Sequence, residues 1–167
     1  RGGANRVTLP EGLTIPEIAH ILKTKADIDS AAFVTMAYDP NLARTLDITA
    51  PSLEGYLFPD TYYFYREMPA EAVIREMVAL YKETFTEEDK AQAIQLGFTI
   101  HEIMTLAAIV EQEAQIEEER EIISGVFHNR LRIGIKLEAD PTVQYGLGDP
   151  NMRLYTKHLS DSSPYNT

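Results

Sequence analysis

The sequence contains no cysteine. That absence excludes disulfides, thiolate metal sites and a cysteine nucleophile, although it leaves the compartment open. Cations are scarce as well: 15 Lys and Arg stand against 26 Asp and Glu, a formal net charge of -11. Such a surface repels polyanions over most of its area, and the clustered cations that phosphate binding needs are missing, which argues against a nucleic-acid partner. A neutral or mixed-charge polymer such as a glycan stays compatible. No apolar run reaches the length of a membrane span, no signal peptide opens the chain and no Met begins it. The expectation is therefore an excised fragment, in which missing targeting signals carry little information. Internal repeats and low-complexity segments are also lacking.

What is present is ordinary globular composition, with 44% hydrophobic and 25% charged residues among 167. This is enough for one domain, or for a small lobe attached to a larger one. Val7 to Leu9 reads as a short strand running into the turn Pro10-Glu11-Gly12. Thr14 and Glu17 have capping-box spacing, and Ile15, Ile18, Ala19 and Leu22 give the helix they open an apolar side. A second helix is expected over Ser30 to Tyr38, stopped by Asp39-Pro40. Pro51 to Tyr65 is rich in aromatics and fits no single period, so it reads as an ordered loop with short extended pieces.

Three helices follow, at Ala70 to Thr84, Glu87 to Leu96 and Ile100 to Ala114, the last opened by Thr99 and Glu102 at capping-box spacing. Another runs from Glu118 to Ile133, with Gly134 placed for a left-handed cap. Ile135, Leu137 and Ala139 alternate with Lys136 and Glu138, the pattern of a half-buried strand, before Asp140-Pro141-Thr142 opens a turn or a helix. The fold class is α+β and mostly helical: a catalytic lobe of helices with a small sheet, plus a small N-terminal α/β segment.

The helix from Ile100 to Ala114 is the most suggestive element. Ile103, Leu106, Ala107, Ile109 and Val110 cover most of its circumference, which predicts burial, and two carboxylates interrupt it, Glu111 and Glu113. Glu113 lies beside Ile109 and Val110, whereas Glu111 lies beside the smaller Ala107 and Ala108. A carboxyl held against branched aliphatic groups loses hydration in its charged form, and its pKa rises toward that of a general acid working near neutrality. Periodicity alone leaves a second reading open, and favours it: both glutamates at the solvent edge of an ordinary amphipathic helix.

Several segments bear on the choice. Leu53 to Tyr62 reads LEGYLFPDTY, Leu106 to Glu113 reads LAAIVEQE, and Val126 to Leu131 reads VFHNRL, followed by Gly134 and Leu137. Asp140 to Gly146 reads DPTVQYG, and the chain closes on Tyr165-Asn166-Thr167. In this order, from Pro51 to Thr167, they resemble the motifs of the MltG/YceG-like family of endolytic murein (lytic) transglycosylases. Pro10-Glu11-Gly12-Leu13-Thr14 resembles the segment that follows the family's LysM-like part. The resemblance implies residues 1–50 as an N-terminal α/β segment and residues 51–167 as the catalytic lobe. That lobe is expected to be truncated at its C-terminal end, where the family continues in a Pro/Gly-rich stretch.

The second glutamate of the family's E-x-E segment is its acid/base, which falls on Glu113. The implied reaction cleaves the bond between N-acetylmuramic acid and N-acetylglucosamine within glycan strands and leaves 1,6-anhydro ends, terminating or trimming nascent strands. Asn129, Gln144, Tyr165 and Asn166 are the implied substrate-binding residues, although Asn129 as a turn cap and Tyr165 as packing are equally ordinary readings. Glu54, Pro59 and Asp60 look more like loop scaffold. The implied partners are peptidoglycan strands and cell-wall synthesis enzymes. The implied location is the extracytoplasmic face of the bacterial membrane, held by an N-terminal helix outside this sequence.

No cofactor or metal is expected. His101-Glu102 begins like a zinc motif, but position 105 is Thr, and the four histidines show no ligand spacing. Pyridoxal phosphate, implied by an older lyase label in the family, needs a Schiff-base lysine and a phosphate-holding glycine loop, and neither stands out. Two rivals remain: a glycan-binding or scaffolding module that does not cut, and a two-carboxylate muramidase using Asp140 or Glu111 beside Glu113. The spacing of Glu111 on the helix, and the turn position of Asp140, predict that no second carboxylate faces Glu113.

Overall fold

The computed structural model describes residues 3–149, 152–160 and 162–167. Strands β1 (Asn5–Leu9) and β2 (Asp60–Phe64) form a two-stranded antiparallel sheet, with Val7 opposite Tyr62 and Leu9 opposite Asp60. The helices are α1 (Ile15–Ala26), α2 (Ser30–Ala37), α3 (Pro40–Thr45), α4 (Ala70–Thr84), α5 (Glu87–Gln95), α6 (Ile100–Glu113), α7 (Arg120–Ile133) and α8 (Asp140–Gly146). A 3-10 turn at Glu117–Glu119 leads into α7. The chain is α+β and mostly helical, as the sequence indicates.

The chain divides into two compact units, Arg1–Met104 and Thr105–Thr167. The boundary expected near residue 50 is not where the fold divides. β1 takes its hydrogen-bonding partner from residues 60–64 and α2 packs on α4, so the first fifty residues share a core with the next fifty.

That first core follows from the two side-chain periods. Val7 and Leu9 alternate inward on β1, as Tyr62 and Phe64 do on β2, while α1 buries Ile15, Ile18, Ala19 and Leu22 at helical spacing. α2 adds Phe33 and Ala37, and α4 adds Val73, Ile74, Met77, Val78 and Tyr81. The Thr14 backbone N–H donates to the Glu17 carboxylate at 2.8 Å, the expected capping box.

The segment read as a loop supplies β2 and pins the unit together. Glu54 accepts from the Ile15 backbone N–H at 3.0 Å, taking one of the orphan donors at the start of α1. Its other oxygen accepts from the Tyr38 hydroxyl at 3.4 Å. Gly55 has φ +83°, a left-handed backbone that a side chain would strain. Tyr56 is buried edge-on against Tyr81, with its hydroxyl 3.0 Å from His101 Nδ1, and burial pushes that hydroxyl up to about 12. Tyr62 donates its hydroxyl to the Phe58 carbonyl at 2.6 Å. The scaffold reading holds for Glu54.

Two further expectations need correction. Asp39-Pro40 stops α2 but also starts α3: Asp39 accepts from the Asn41 N–H at 2.8 Å, and Pro40 takes the first-turn place where its missing N–H costs nothing. The strand expected at Ile135 to Ala139 does not form. Glu138 has φ +54°, which reverses the chain, and Ile135 is exposed, so the alternation has no sheet to face. Among the described residues the second unit has no strand.

Glu54→Ala removes the carboxylate that caps α1 and meets Tyr38. It is expected to destabilise the first unit by about 1–2 kcal/mol, read as a lowered midpoint in urea with an unchanged slope. A stability within about 0.3 kcal/mol of the parent would contradict the capping role.

Candidate active site

The second unit is built on a small core of Leu106, Val110, Phe127 and Ala139, with Ile109, Ile123 and Leu137 packed on it. Leu106 and Val110 are four apart on α6 and form one buried stripe, whereas Ala107 and Ala108 are exposed. The near-complete burial of α6 expected from its composition is therefore replaced by one-sided burial. The Thr99 N–H donates to Glu102 at 2.8 Å at the start of α6, the expected capping box. Glu102 is thus a cap, and His101 Nδ1 lies at the Tyr56 hydroxyl.

Glu113 is the last residue of α6 and half-buried. It lines a hollow of about 210 Å³ with Ile122, Ile123, Val126 and Phe127 of α7 and with Arg130, Leu137 and Glu138. Its aliphatic walls come mostly from the facing helix, more than from Ile109 and Val110 on its own. Burial raises the Glu113 pKa, the Asp140 carboxylate raises it further, and a hydrogen bond from the Asp140 backbone N–H pulls the other way. The net direction is upward. A shift in that direction is the one a general acid needs.

The neighbouring charges are arranged unequally. Glu111 accepts from Arg120 at 3.1 Å, so its carboxylate is held by a cation instead of by apolar walls. Glu138 is paired to Arg130 at 3.1 Å, and the same guanidinium donates to the Leu137 carbonyl. Asp140 stands at the first position of α8 and acts on Glu113 electrostatically, and Glu138 lines the same hollow.

None of the four implied binding residues lines that hollow. Asn129 is exposed on α7 and accepts from Arg132 at 3.1 Å. Gln144 Nε2 donates to the Met152 carbonyl at 2.9 Å, and Asn166 Nδ2 donates to the Leu159 carbonyl at 2.8 Å. Tyr165 packs its ring edge-on against Tyr145 at 5.3 Å. The DPTVQYG and YNT segments do meet: the Glu138 N–H donates to the Thr167 carbonyl at 3.0 Å, and the Thr142 and Thr167 hydroxyls lie 3.0 Å apart. A Cβ added at Gly146 would stand 2.8 Å from the Tyr165 Cβ, so only glycine fits there. Sequence reasoning missed Arg120, Arg130 and the apolar wall of α7. The apolar signal was present in Ile122, Ile123, Val126 and Phe127, but it reads equally well as core.

The candidate site is thus a glutamate at the end of a helix, held beside apolar walls and a like charge, in a mostly helical α+β chain. A model of the YceG-like family matches residues 1–167, and the chain belongs to that family. The endolytic murein transglycosylase of Bacillus subtilis (strain 168) is 30% identical over 184 residues, covering 99% of this chain and 50% of that protein. The protein of the same name from Streptococcus pneumoniae (strain ATCC BAA-255 / R6) is 30% identical over 192 residues, covering 96% of this chain and 33% of that one. The chain therefore spans half of the first relative and a third of the second. A crystal structure of a YceG-like protein from Listeria monocytogenes superposes with a TM-score of 0.84 at 30% identity, covering 96% of this chain and 58% of that one.

The raised pKa of Glu113 has a consequence for stability. Between the ordinary glutamate range and the raised value, the unfolded chain has lost this proton and the folded chain keeps it, so stability falls as pH rises through that window. Glu113→Gln has no such window. Its melting temperature relative to the parent is expected to climb as pH rises from about 4 toward neutrality, measured by paired thermal scans. A difference that stays flat or declines with pH would show that the carboxyl is not desolvated.

Proposed function

We propose that this chain carries the catalytic lobe of an endolytic peptidoglycan lytic transglycosylase, with Glu113 as the single acid/base. The observation that carries this reading is the protonated bias of Glu113 within an apolar hollow, at the position to which the family resemblance assigns the acid. Glu113 donates its proton to the glycosidic oxygen between N-acetylmuramic acid and N-acetylglucosamine as that bond breaks. The resulting carboxylate takes the proton of the muramoyl 6-hydroxyl, whose oxygen closes on the anomeric carbon to form the 1,6-anhydro ring. No water is consumed and the carboxyl is regenerated. The Asp140 N–H suits both halves of the cycle, since it orients the acid and steadies the carboxylate.

The substrate in this reading is the glycan strand of peptidoglycan, cut internally, with cell-wall synthesis enzymes as partners. The setting is the extracytoplasmic face of the cell membrane. Among the described residues no single helix is long and apolar enough to cross a membrane. Gln144 and Asn166 act in this reading as positioning residues for the segment they bond, and Tyr165 as packing behind them. A groove role for Asn129 has only its exposure in support.

The closeness of Asp140 favours a second reading, a muramidase in which Asp140 activates water or attacks the sugar. Glu138 is a weaker partner because Arg130 holds it. Mass spectrometry of digested strands separates the readings: anhydro ends for the transglycosylase, reducing ends for the muramidase, and no cleavage for a binding module.

Glu113→Gln is expected to lower turnover by about 100-fold or more, and Glu111→Gln far less. The reverse order would assign the acid to Glu111. Asp140→Asn removes the charge that helps keep Glu113 protonated, so the alkaline limb of the kcat/KM profile should move to lower pH while the ends remain anhydro. Loss of turnover comparable to that of Glu113→Gln, with reducing ends in the parent digest, would establish the muramidase instead.

A further inference from the structure

A second hollow, of about 740 Å³, is lined by Asp140, Leu154, Tyr155, Thr156, Lys157 and Leu159. Its size falls in the range that holds small ligands, about 300–1,000 Å³. Asp140 lines this hollow, and its carboxylate acts on Glu113, which lines the other.

The wall is built, not incidental. Gln144 and Asn166 grip the Met152 and Leu159 carbonyls, one near each end of the segment. Inside it the Tyr155 N–H donates to His158 Nδ1 at 3.1 Å and the His158 N–H returns to the Tyr155 carbonyl at 2.8 Å. The Tyr155 ring is 55% exposed, with the His158 ring edge-on at 5.7 Å and the Arg153 guanidinium 5.7 Å from its centroid. Residues 152–160 include no Asp or Glu, in a chain that carries 26 of them, yet they hold Arg153 and Lys157. Among the described residues Lys157 enters no ion pair. Two cations are too few for a polyanion but enough for one carboxylate.

We propose that this hollow is a substituent subsite that takes the carboxylate-bearing peptide stem attached to the muramoyl lactyl group, with Lys157 meeting a stem carboxylate and Tyr155 packing against the chain. The proposal rests on the transglycosylase reading for the identity of the sugar. Asp140, the one carboxylate in the lining, bars an anion from the side nearest Glu113, so the stem's charge goes to Lys157.

The test uses the full chain carrying Glu113→Gln, so that binding is measured without cutting. N-acetylglucosaminyl-N-acetylmuramoyl fragments bearing either a peptide stem or only a neutral lactyl amide are titrated by calorimetry. The peptide-bearing fragment should bind about tenfold tighter, the worth of one charge-assisted hydrogen bond, and adding Lys157→Gln should erase that excess. Equal affinity for the two fragments overturns the proposal, as does a Lys157→Gln effect of the same size on both. Cleavage by the parent chain is scored separately. Peptide-dependent binding without anhydro ends would leave the subsite standing and sink the enzyme reading, whereas anhydro ends without peptide discrimination would do the opposite.

Discussion

Burial in its hollow and the Asp140 carboxylate at the first position of α8 act together on the Glu113 carboxyl at the end of α6. This interaction relates the last residue of α6 to the first of α8 across the whole of α7. It also sets the limits on the carboxyl. Burial and the Asp140 side chain favour the proton, and the Asp140 N–H favours its loss, so the group is biased without being locked in one state.

The rest of the second unit serves this arrangement with a thin core. Four buried apolar residues and three flanking ones hold α6 against α7, far fewer than the first unit collects around its sheet. Ion pairs do part of the positioning that packing does elsewhere. Arg120 occupies Glu111 and Arg130 occupies Glu138, so both are matched by cations, and Asp140 supplies the repulsion that Glu113 feels. In a chain with this excess of negative charge, the placing of two arginines decides which of these carboxylates are matched by a cation.

Helices and their starts were legible in the sequence because their causes are local. Thr14 with Glu17 and Thr99 with Glu102 are read from spacing alone, and both boxes form. What escaped depended on distant partners. The alternation at Ile135 to Ala139 is a strand pattern, but a strand exists only where another offers its edge, and none does. The aromatic run before Tyr65 has no clean period because Glu54, Tyr56 and Tyr62 each answer to a different neighbour. Glu113 was legible as a residue through the family motif and as a chemical type through the aliphatic groups beside it. Its nearest walls, on α7, were not, since nothing in a linear pattern says which helix will face which. Gln144 and Asn166, implied as sugar-binding by the family motifs, each donate an amide N–H to a backbone carbonyl, of Met152 and Leu159.

The contact between Gly146 and Tyr165 has a consequence for how such a chain can change. With a Cβ barred from position 146, the helix and the terminal tyrosine touch main chain to side chain, and no intermediate residue can be inserted into that gap. The two segments behave as a lock whose halves were cut together. A graft that carries DPTVQYG into another scaffold without its YNT partner would bring a helix whose closing surface is a bare glycine, complementary to nothing in its new host. The transferable part is the pair.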